Sequence, residues 1–403
     1  MSIFSNKRIT LGVTGSIAAY KAADLASKLT QAGAQVDVIF TGAAEKFVTP
    51  LTFQSVTGRR GYSDNDLWGN EAHVLHVGLG HAADLLVIAP CTANTIAKLA
   101  HGQADNLLTV TALAMQSPLL IAPAMEAGMY DHPATQENIG ILKKRGATFI
   151  GPAEGHLASG LAGIGRMLET AEILEHIRLL LGQHGPLAGK RVVVTAGGTQ
   201  EPLDPVRVLT NRSSGKQGYA LAQAALDLGA QVTLITAPTA LTPPTGARLV
   251  AVETAKQMLA AVLQESAGSD ALIMAAAVAD FRPKNASRDK LKKADGIPQV
   301  ELEATEDILK TVAAQRQGGK RPRLVVGFAA ESRDLLENAA AKLKSKGLDF
   351  IAANDISAKD AGFAAETNRV TLLFADGRQE ALSLMSKAEV AEVILGWVSK
   401  LLE

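Results

Sequence analysis

Two hydrophobic rhythms alternate along the chain of 403 residues. Short runs of β-branched and aliphatic residues lead into glycine- or proline-marked turns, and Ala/Leu-rich stretches with helical spacing follow. In the first half, Ile9–Val13, Gln35–Phe40, Leu85–Ala89, Pro118–Ala122 and Thr148–Ile150 read as strands. In the second half the strands are Lys190–Thr195, Gln231–Thr236, Ala271–Ala275, Arg323–Phe328 and Phe350–Asn354. Unbroken apolar runs of this length mark strands covered on both faces. Helical spacing falls after Ser16 to about Gln31, and at Leu168–Leu181, Tyr219–Leu228, Thr254–Gln264, Asp307–Ala314, Ser332–Lys346 and Ser386–Leu402. Strand, turn, helix, strand is a βαβ unit, which predicts parallel sheets with sites at the strands' carboxyl ends. The fold class is therefore α/β, with two doubly wound domains at 1–183 and 190–403 and a linker at 184–189. Gly33-Ala34-Gln35-Val36 and Gly229-Ala230-Gln231-Val232 punctuate the two halves at the same point.

The periodicity fails in places where small polar residues collect. The longest break is Thr195–Gly218, two dozen residues rich in Gly, Pro, Thr and Ser between a strand and a helix. Its end, Ser213-Ser214-Gly215-Lys216-Gln217-Gly218, places hydroxyls and backbone N–H groups at a helix start, where anions bind. We read it as half of a nucleotide or phosphate site; a capped glycine turn is the plainer alternative. In the first half, Gly15-Ser16-Ile17 lacks the full dinucleotide fingerprint and suits a single phosphate. Pro90-Cys91-Thr92-Ala93-Asn94 opens a helix after its strand. Pro123-Ala124-Met125-Glu126 follows another, and Gly155–Arg166 reads as a flexible flap. Asn106 is either a ligand contact or a turn residue. Lys342 and Lys346 share a helix face, either as a solvated basic stripe or around an anion. With Lys290-Leu291-Lys292-Lys293 and the strand-end Asp280, they favour a polyphosphate carrying a divalent metal. A pair of opposite charges 4 Å apart is worth about 4 kcal/mol at an effective dielectric of 20.

Composition narrows the classes. Forty basic and forty acidic side chains cancel, so no nucleic-acid partner is implied. No apolar stretch reaches membrane-spanning length, and the first residues show no signal-like core. The single cysteine, Cys91, excludes an intrachain disulfide and suits a reducing compartment. The expectation is a soluble cytoplasmic α/β protein.

GVTGSIAAYK, TGAAEKFVTP, APCTANTIAK and PAM-x-x-x-M-Y together resemble the flavin-dependent cysteine decarboxylases. That resemblance implies a flavodoxin-like, homo-oligomeric domain, trimeric in its decarboxylase half, with FMN held between subunits. Gly15, Ser16, Ile17, Thr41, Phe47, Cys91, Thr92, Ala93, Asn94 and Asn106 would contact the cofactor. Spacing does not choose among His73, His76 and His81; the resemblance selects His76 as the catalytic acid/base. Two positions depart from the pattern. Glu126 stands where Asn is usual, and Ser159 stands where a proton-donating cysteine is usual. Glu126, neutral in the presence of substrate, is expected to serve as the replacement donor and acid; the alternative is release of the oxidised enethiol.

The second half resembles phosphopantothenate–cysteine ligases through EPLDPVRVLTNRSSGKQG, AAAVADFRP, the KLKK run, VVGFAAES and KLKSKGLDFIAAND, in family order. The whole chain thus resembles the bacterial bifunctional decarboxylase/ligases of coenzyme A synthesis. A Rossmann-like, dimeric ligase domain is implied, which activates 4′-phosphopantothenate as an acyl-cytidylate with CTP and Mg2+ or Mn2+. Asn211 would polarise the acyl group, with Arg207 near substrate or loop, and Lys290 would stabilise charge during transfer. Ser213, Gly215, Lys216, Met274, Ala275, Ala276, Glu306, Asp307, Ile308, Leu309, Phe328, Lys342 and Lys346 would hold nucleotide or substrate. Asp280 would bind ribose or metal. A non-catalytic nucleotide-binding regulator is the reading from another class, and it would need none of His76, Asn211 or Lys290.

Overall fold

The structure is a computed structural model that describes residues 2–68, 74–293, 297–316, 321–331, 333–355 and 366–403. The chain divides into two compact units, Met1–Leu181 and Gly182–Glu403.

The first unit is built on a six-stranded parallel sheet. Its order is Gly61–Tyr62, Gln35–Phe40, Arg8–Val13, Leu85–Cys91, Leu119–Pro123, Thr148–Phe149. Apart from the two-residue edge strand Gly61–Tyr62, the sequence order is 2-1-3-4-5, the flavodoxin-like arrangement. Alternate side chains of each strand enter separate cores. Ile9, Leu11, Val36, Val38 and Leu85 join one, and Ile39, Leu86, Ile88 and Ile121 join the other. Burying each such side chain is worth about 1.5–3 kcal/mol, so the strands fix the sheet edge from which the loops spring.

In the second unit eight strands run in the order Arg248–Ala251, Gln231–Thr236, Arg191–Ala196, Ala271–Met274, Leu324–Glu331, Phe350–Asp355, Val370–Phe374, Gln379–Ala381. The first six are parallel, and an antiparallel hairpin completes the sheet. The strand order reverses between Arg191–Ala196 and Ala271–Met274, and a crevice opens at such a point.

The two helix ends that matched in sequence also match in bonding. Gly33 and Gly229 adopt φ of 101° and 87°. Ala34 N–H reaches Leu29 O and Ala230 N–H reaches Ala225 O, each at 3.0 Å, and both glycines close a Schellman-type stop. Gln35 and Gln231 then donate to Lys7 O and Lys190 O, both at 2.8 Å, and so start the next strand.

Four expectations change. The Thr195–Gly218 break contains a small antiparallel pair, Gln200–Pro202 with Val208–Thr210. The expected flap is a hairpin, Ala153–His156 with Ala162–Arg166, because its glycines let the return strand lie against Met125–Ala127. A Cβ on Gly165 would stand 2.1 Å from Met125 O, which no side chain tolerates. The expected linker is packed instead: Leu187 is fully buried and donates to Leu228 O at 2.7 Å. The helix expected from Ser332 runs Leu335–Ser345, after Asp334 at φ 49°; Ser332 itself lies outside the described residues.

Candidate functional sites

The crevice of the second unit is a cavity of about 440 Å³ at the carboxyl edge of its sheet. Asn211, Ser213, Gly215, Lys216, Met274, Ala275, Ala276, Asp280, Glu306–Leu309, Phe328, Lys342 and Lys346 all line it. The floor is the segment after Ala271–Met274, stitched from both sides. Ala276 N–H donates to Thr195 Oγ1 at 3.1 Å and Ala279 N–H to Thr199 Oγ1 at 2.9 Å. Thr305 Oγ1 donates to Ala279 O at 2.6 Å. Gly215 begins the helix Lys216–Asp227, whose amino end therefore faces the cavity. Asp307 caps Ile308–Gln315 through Lys310 N–H and lies 3.5 Å from Lys346 Nζ.

Asn211 is more constrained than the sequence suggested. Its Nδ2 donates to Ala277 O at 3.2 Å and Val278 O at 3.1 Å. Two carbonyls dictate that the NH2 end faces them, so the amide offers a ligand only its acceptor oxygen. Polarising an acyl oxygen would require those bonds to open. Arg207 does not line the cavity. Its guanidinium bonds the Asp204 carboxylate and Leu291 O, and Leu291 N–H reaches the same carboxylate at 3.1 Å. These bonds hold the buried Asp204 carboxyl far below its ordinary range, chiefly through the Arg207 side chain. Arg207 is thus a clamp between two loops. Lys290, next to Leu291, is exposed and lies outside the cavity lining.

In the first unit a second cavity, about 370 Å³, brings together Ser16, Ile17, Glu126 and Ser159. Tyr20, Lys21, His156, Arg166 and Met167 also line it. Glu126 Oε2 accepts Met129 N–H at 3.3 Å at the start of Ala127–Asp131. Lys21 Nζ bonds Glu169 at 2.9 Å, and that bond above all holds the Glu169 carboxyl below its usual range.

The other residues expected near a cofactor are dispersed along the same edge. Gly15, Thr41, Phe47, Thr92, Ala93 and Asn94 follow the carboxyl ends of three neighbouring strands. Thr14 Oγ1 joins two of those ends, donating to Pro90 O at 2.8 Å and accepting Thr92 N–H at 3.1 Å. Two of these residues are engaged within the protein itself. Cys91 is fully buried in the core, its carbonyl accepting Ala124 N–H at 3.0 Å, and burial pushes its thiol up. Asn106 caps Leu107–Ala114, its Oδ1 accepting Thr109 N–H at 2.9 Å, while its Nδ2 donates to Asp105. His76 sits half-buried on Leu75–Ala82 and does not line the cavity; His73 lies outside the described residues.

The family model described as "Flavoprotein" matches residues 3–182, and "DNA/pantothenate metabolism flavoprotein C-terminal domain" matches 187–402. The "Coenzyme A biosynthesis bifunctional protein CoaBC" of Bacillus subtilis (strain 168) is 46% identical over 402 residues, spanning 99% of this chain and 98% of its own. The chain belongs to the CoaBC family. The CoaBC of Mycobacterium tuberculosis (strain ATCC 25618 / H37Rv) is 44% identical and covers 96% of this chain and 95% of itself. A crystal structure of the C-terminal domain of a CoaBC aligns at 43% identity with a TM-score of 0.46, covering 54% of this chain and 98% of that one. As a CoaBC protein, the chain is a bifunctional coenzyme A biosynthesis enzyme with ligase and decarboxylase halves.

Both cavities are also lined by residues not singled out as site candidates from the sequence. In the ligase half, Gln217, Asn354, Asn368 and Lys387 complete the cavity wall. Asn368 Nδ2 donates to Gln217 Oε1 at 2.8 Å, and burial, then Lys216, push the Lys387 ammonium down. In the decarboxylase half, His156 and Arg166 bracket Ser159 on the hairpin. No helix among the described residues is long and apolar enough to cross a membrane.

Proposed function

We propose that the second unit joins cysteine to 4′-phosphopantothenate with CTP, through an acyl-cytidylate, and that the first decarboxylates the product with FMN. The observation that carries the ligase reading is the crevice itself. One cavity holds a helix amino end, Lys342 and Lys346 for phosphates, Phe328 for a base, and Asp280 with Glu306 for a cation. A carboxylate is a poor electrophile, and a phosphate-anhydride leaving group makes attack by the cysteine amine feasible. Divalent ions on nucleotides commonly take one or two protein carboxylates and several phosphate oxygens, which fits Asp280 and Glu306; Mg2+ or Mn2+ would serve. Lys290 adjoins the loop clamped by Arg207, so the same clamp governs where that ammonium can reach.

FMN fits the first unit on one structural observation. Among the described residues, Thr41 Oγ1 is buried without a hydrogen-bond partner, just beyond a strand end at the sheet edge that also carries the Gly15-Ser16-Ile17 turn. When bound, FMN supplies a two-electron sink and source at the thiol-bearing carbon, which lets the neighbouring carboxylate leave as CO2. Ser16 and Ile17 would hold its phosphate end, and His76 would move the thiol or carboxylate proton. Within one chain His76 stands outside the cavity of Glu126 and Ser159. Ile17, Tyr20, Phe47 and Leu51 are exposed apolar side chains. Both facts support a site completed by a second copy of the chain, in a homo-oligomer with trimeric decarboxylase and dimeric ligase contacts. The setting is cytoplasmic.

The test supplies purified protein with phosphopantothenate, cysteine and CTP. Pyrophosphate release, a product of phosphopantothenoylcysteine mass, and then loss of CO2 from it are expected. Absence of CTP-dependent pyrophosphate overturns the ligase reading, and a protein that cannot be made yellow with FMN overturns the other.

A further inference from the structure

We infer that His156 is the proton donor of the reductive half of the decarboxylase reaction, in the place where a thiol is missing from this chain. The inference rests on the decarboxylase reading above and deepens it. After CO2 leaves, the substrate is an enethiolate, with electron density on the carbon that carried the carboxylate. Completing the reaction requires one proton on that carbon and one hydride on the neighbouring sulfur-bearing carbon. The hydride is the pair of electrons and hydrogen removed from the same substrate in the first half-reaction. The proton must come from a side chain, and the Ser159 hydroxyl is far too weak an acid to give it.

The cavity offers few candidates. Its titratable lining is Tyr20, Lys21, Glu126, His156 and Arg166. Arg166 does not deprotonate, and it is ion-paired to Glu169. Lys21 is buried, and its ammonium donates to the same Glu169 and to Met167 O. Glu126 Oε2 accepts Met129 N–H in the cap of Ala127–Asp131, a role that the ionised carboxylate fills best. Gly128 leaves the space for that cap, since a Cβ there would meet Glu126 Oε2 at 3.0 Å. Tyr20 stands on the helix Ala19–Gln31, and a phenol is a far weaker acid than an imidazolium.

His156 has none of these commitments among the described residues. It closes the strand Ala153–His156, paired with Ala162, at the base of the turn that carries Ser159. Leu157 N–H to Leu161 O at 2.8 Å and Gly160 N–H to Leu157 O at 2.9 Å tighten that turn. The hairpin thus carries His156 and Ser159 together over the cavity that Glu126 borders. An imidazolium N–H is a far stronger acid than a hydroxyl and a common general acid. In the step, the imidazolium N–H bond breaks, a C–H bond forms on the decarboxylated carbon, and a thioaldehyde results. Hydride addition then yields the thiolate, and the imidazole is reprotonated from solvent.

The experiment compares the FMN-loaded full chain with His156→Gln under anaerobic conditions, using phosphopantothenoylcysteine. CO2, product mass and the flavin absorbance are followed, and FMN affinity is measured separately by fluorescence quenching on the apoprotein. FMN affinity and the first-turnover burst of CO2, one per flavin, are expected within about twofold of the parent, while reduced product and all later CO2 form about 10²-fold or more slowly. A product two hydrogens lighter should accumulate, and the flavin should stay bleached because its electrons are not returned. Adding Ser159→Cys to His156→Gln restores a thiol donor and should restore reduced product and flavin colour. Reduced product at the parent rate in His156→Gln overturns the inference. So does a lighter product from Glu126→Gln with normal product from His156→Gln, or a double variant that is not rescued. A parent that releases no CO2 defeats the decarboxylase reading itself, a result none of the variant outcomes mimics.

Discussion

The crevice of the second unit gathers nearly every side chain expected of it, from Asn211 to Lys346, whereas the cavity of the first gathers Ser16, Ile17, Glu126 and Ser159 and leaves His76 on another face. Both lie at the carboxyl edge of a parallel sheet, so topology alone does not separate them. The ligase crevice is lined by loops that leave neighbouring strands and turn back over one switch point. Hydrogen bonds such as Thr199 to Ala279 and Asn211 to Ala277 hold those loops without outside help. The decarboxylase residues are strung along the sheet edge, and exposed apolar side chains stand among them. A cavity that gathers its expected residues and one that leaves His76 outside make different demands on mutation.

The largest effect expected is at His76. His76→Asn should keep FMN and the ligase activity but lower decarboxylation by about 10²–10⁴-fold. Mixing His76→Asn chains with Glu126→Ala chains under subunit exchange should then return CO2 release, because some sites receive His76 from one copy and Glu126 from another. No recovery would break the contrast and make both cavities single-chain sites. Next comes Lys290→Gln, expected to lower ligase kcat about 10²-fold with unchanged melting temperature. An unchanged kcat would show that the exposed ammonium never joins the crevice.

Asn211→Ala releases Ala277 O and Val278 O and should cost about tenfold in ligase kcat/KM, from loop disorder together with the lost contact. Equal loss with Asn211→Asp, whose carboxylate faces two carbonyls, would confirm that the amide's donors matter. A smaller effect follows from Asp204. Its carboxyl is depressed below the ordinary 3.8 in the folded state. The stabilisation is therefore fully present above about 3.8 and is lost as pH falls towards the depressed value. Arg207→Ala removes the main cause, so acid unfolding should begin at higher pH, as followed by circular dichroism. Coincident acid limbs would remove the clamp from the account. The smallest change is Ser386→Ala, which deletes the capping box of Lys387–Leu402 and should cost about 1 kcal/mol by urea titration, with neither activity altered.

Local chemistry made much of the molecule legible in the sequence. Apolar runs such as Leu85–Ala89 and Val192–Val194 can only be strands covered on both faces, and Gly33 and Gly229 stop their helices because they adopt positive φ. The ligase motifs survive as a site because each is a short loop whose backbone reaches the crevice wherever its strand ends. What the sequence could not decide was which of two uses a polar side chain would take. Asn106 and Arg207 had the chemistry to meet a ligand and were taken up by a helix cap and a loop clamp. Cys91 was drawn into the core by the inward face of its strand. Asn368 and Lys387 entered the crevice without any motif to announce them, and His156 reached Ser159's cavity because a hairpin folded where a loose flap was expected. Periodicity and turn chemistry act within a few residues and are written in the chain. The choice between cap, clamp, core and ligand depends on partners far away in sequence, and only the packed structure brings those partners within bonding distance.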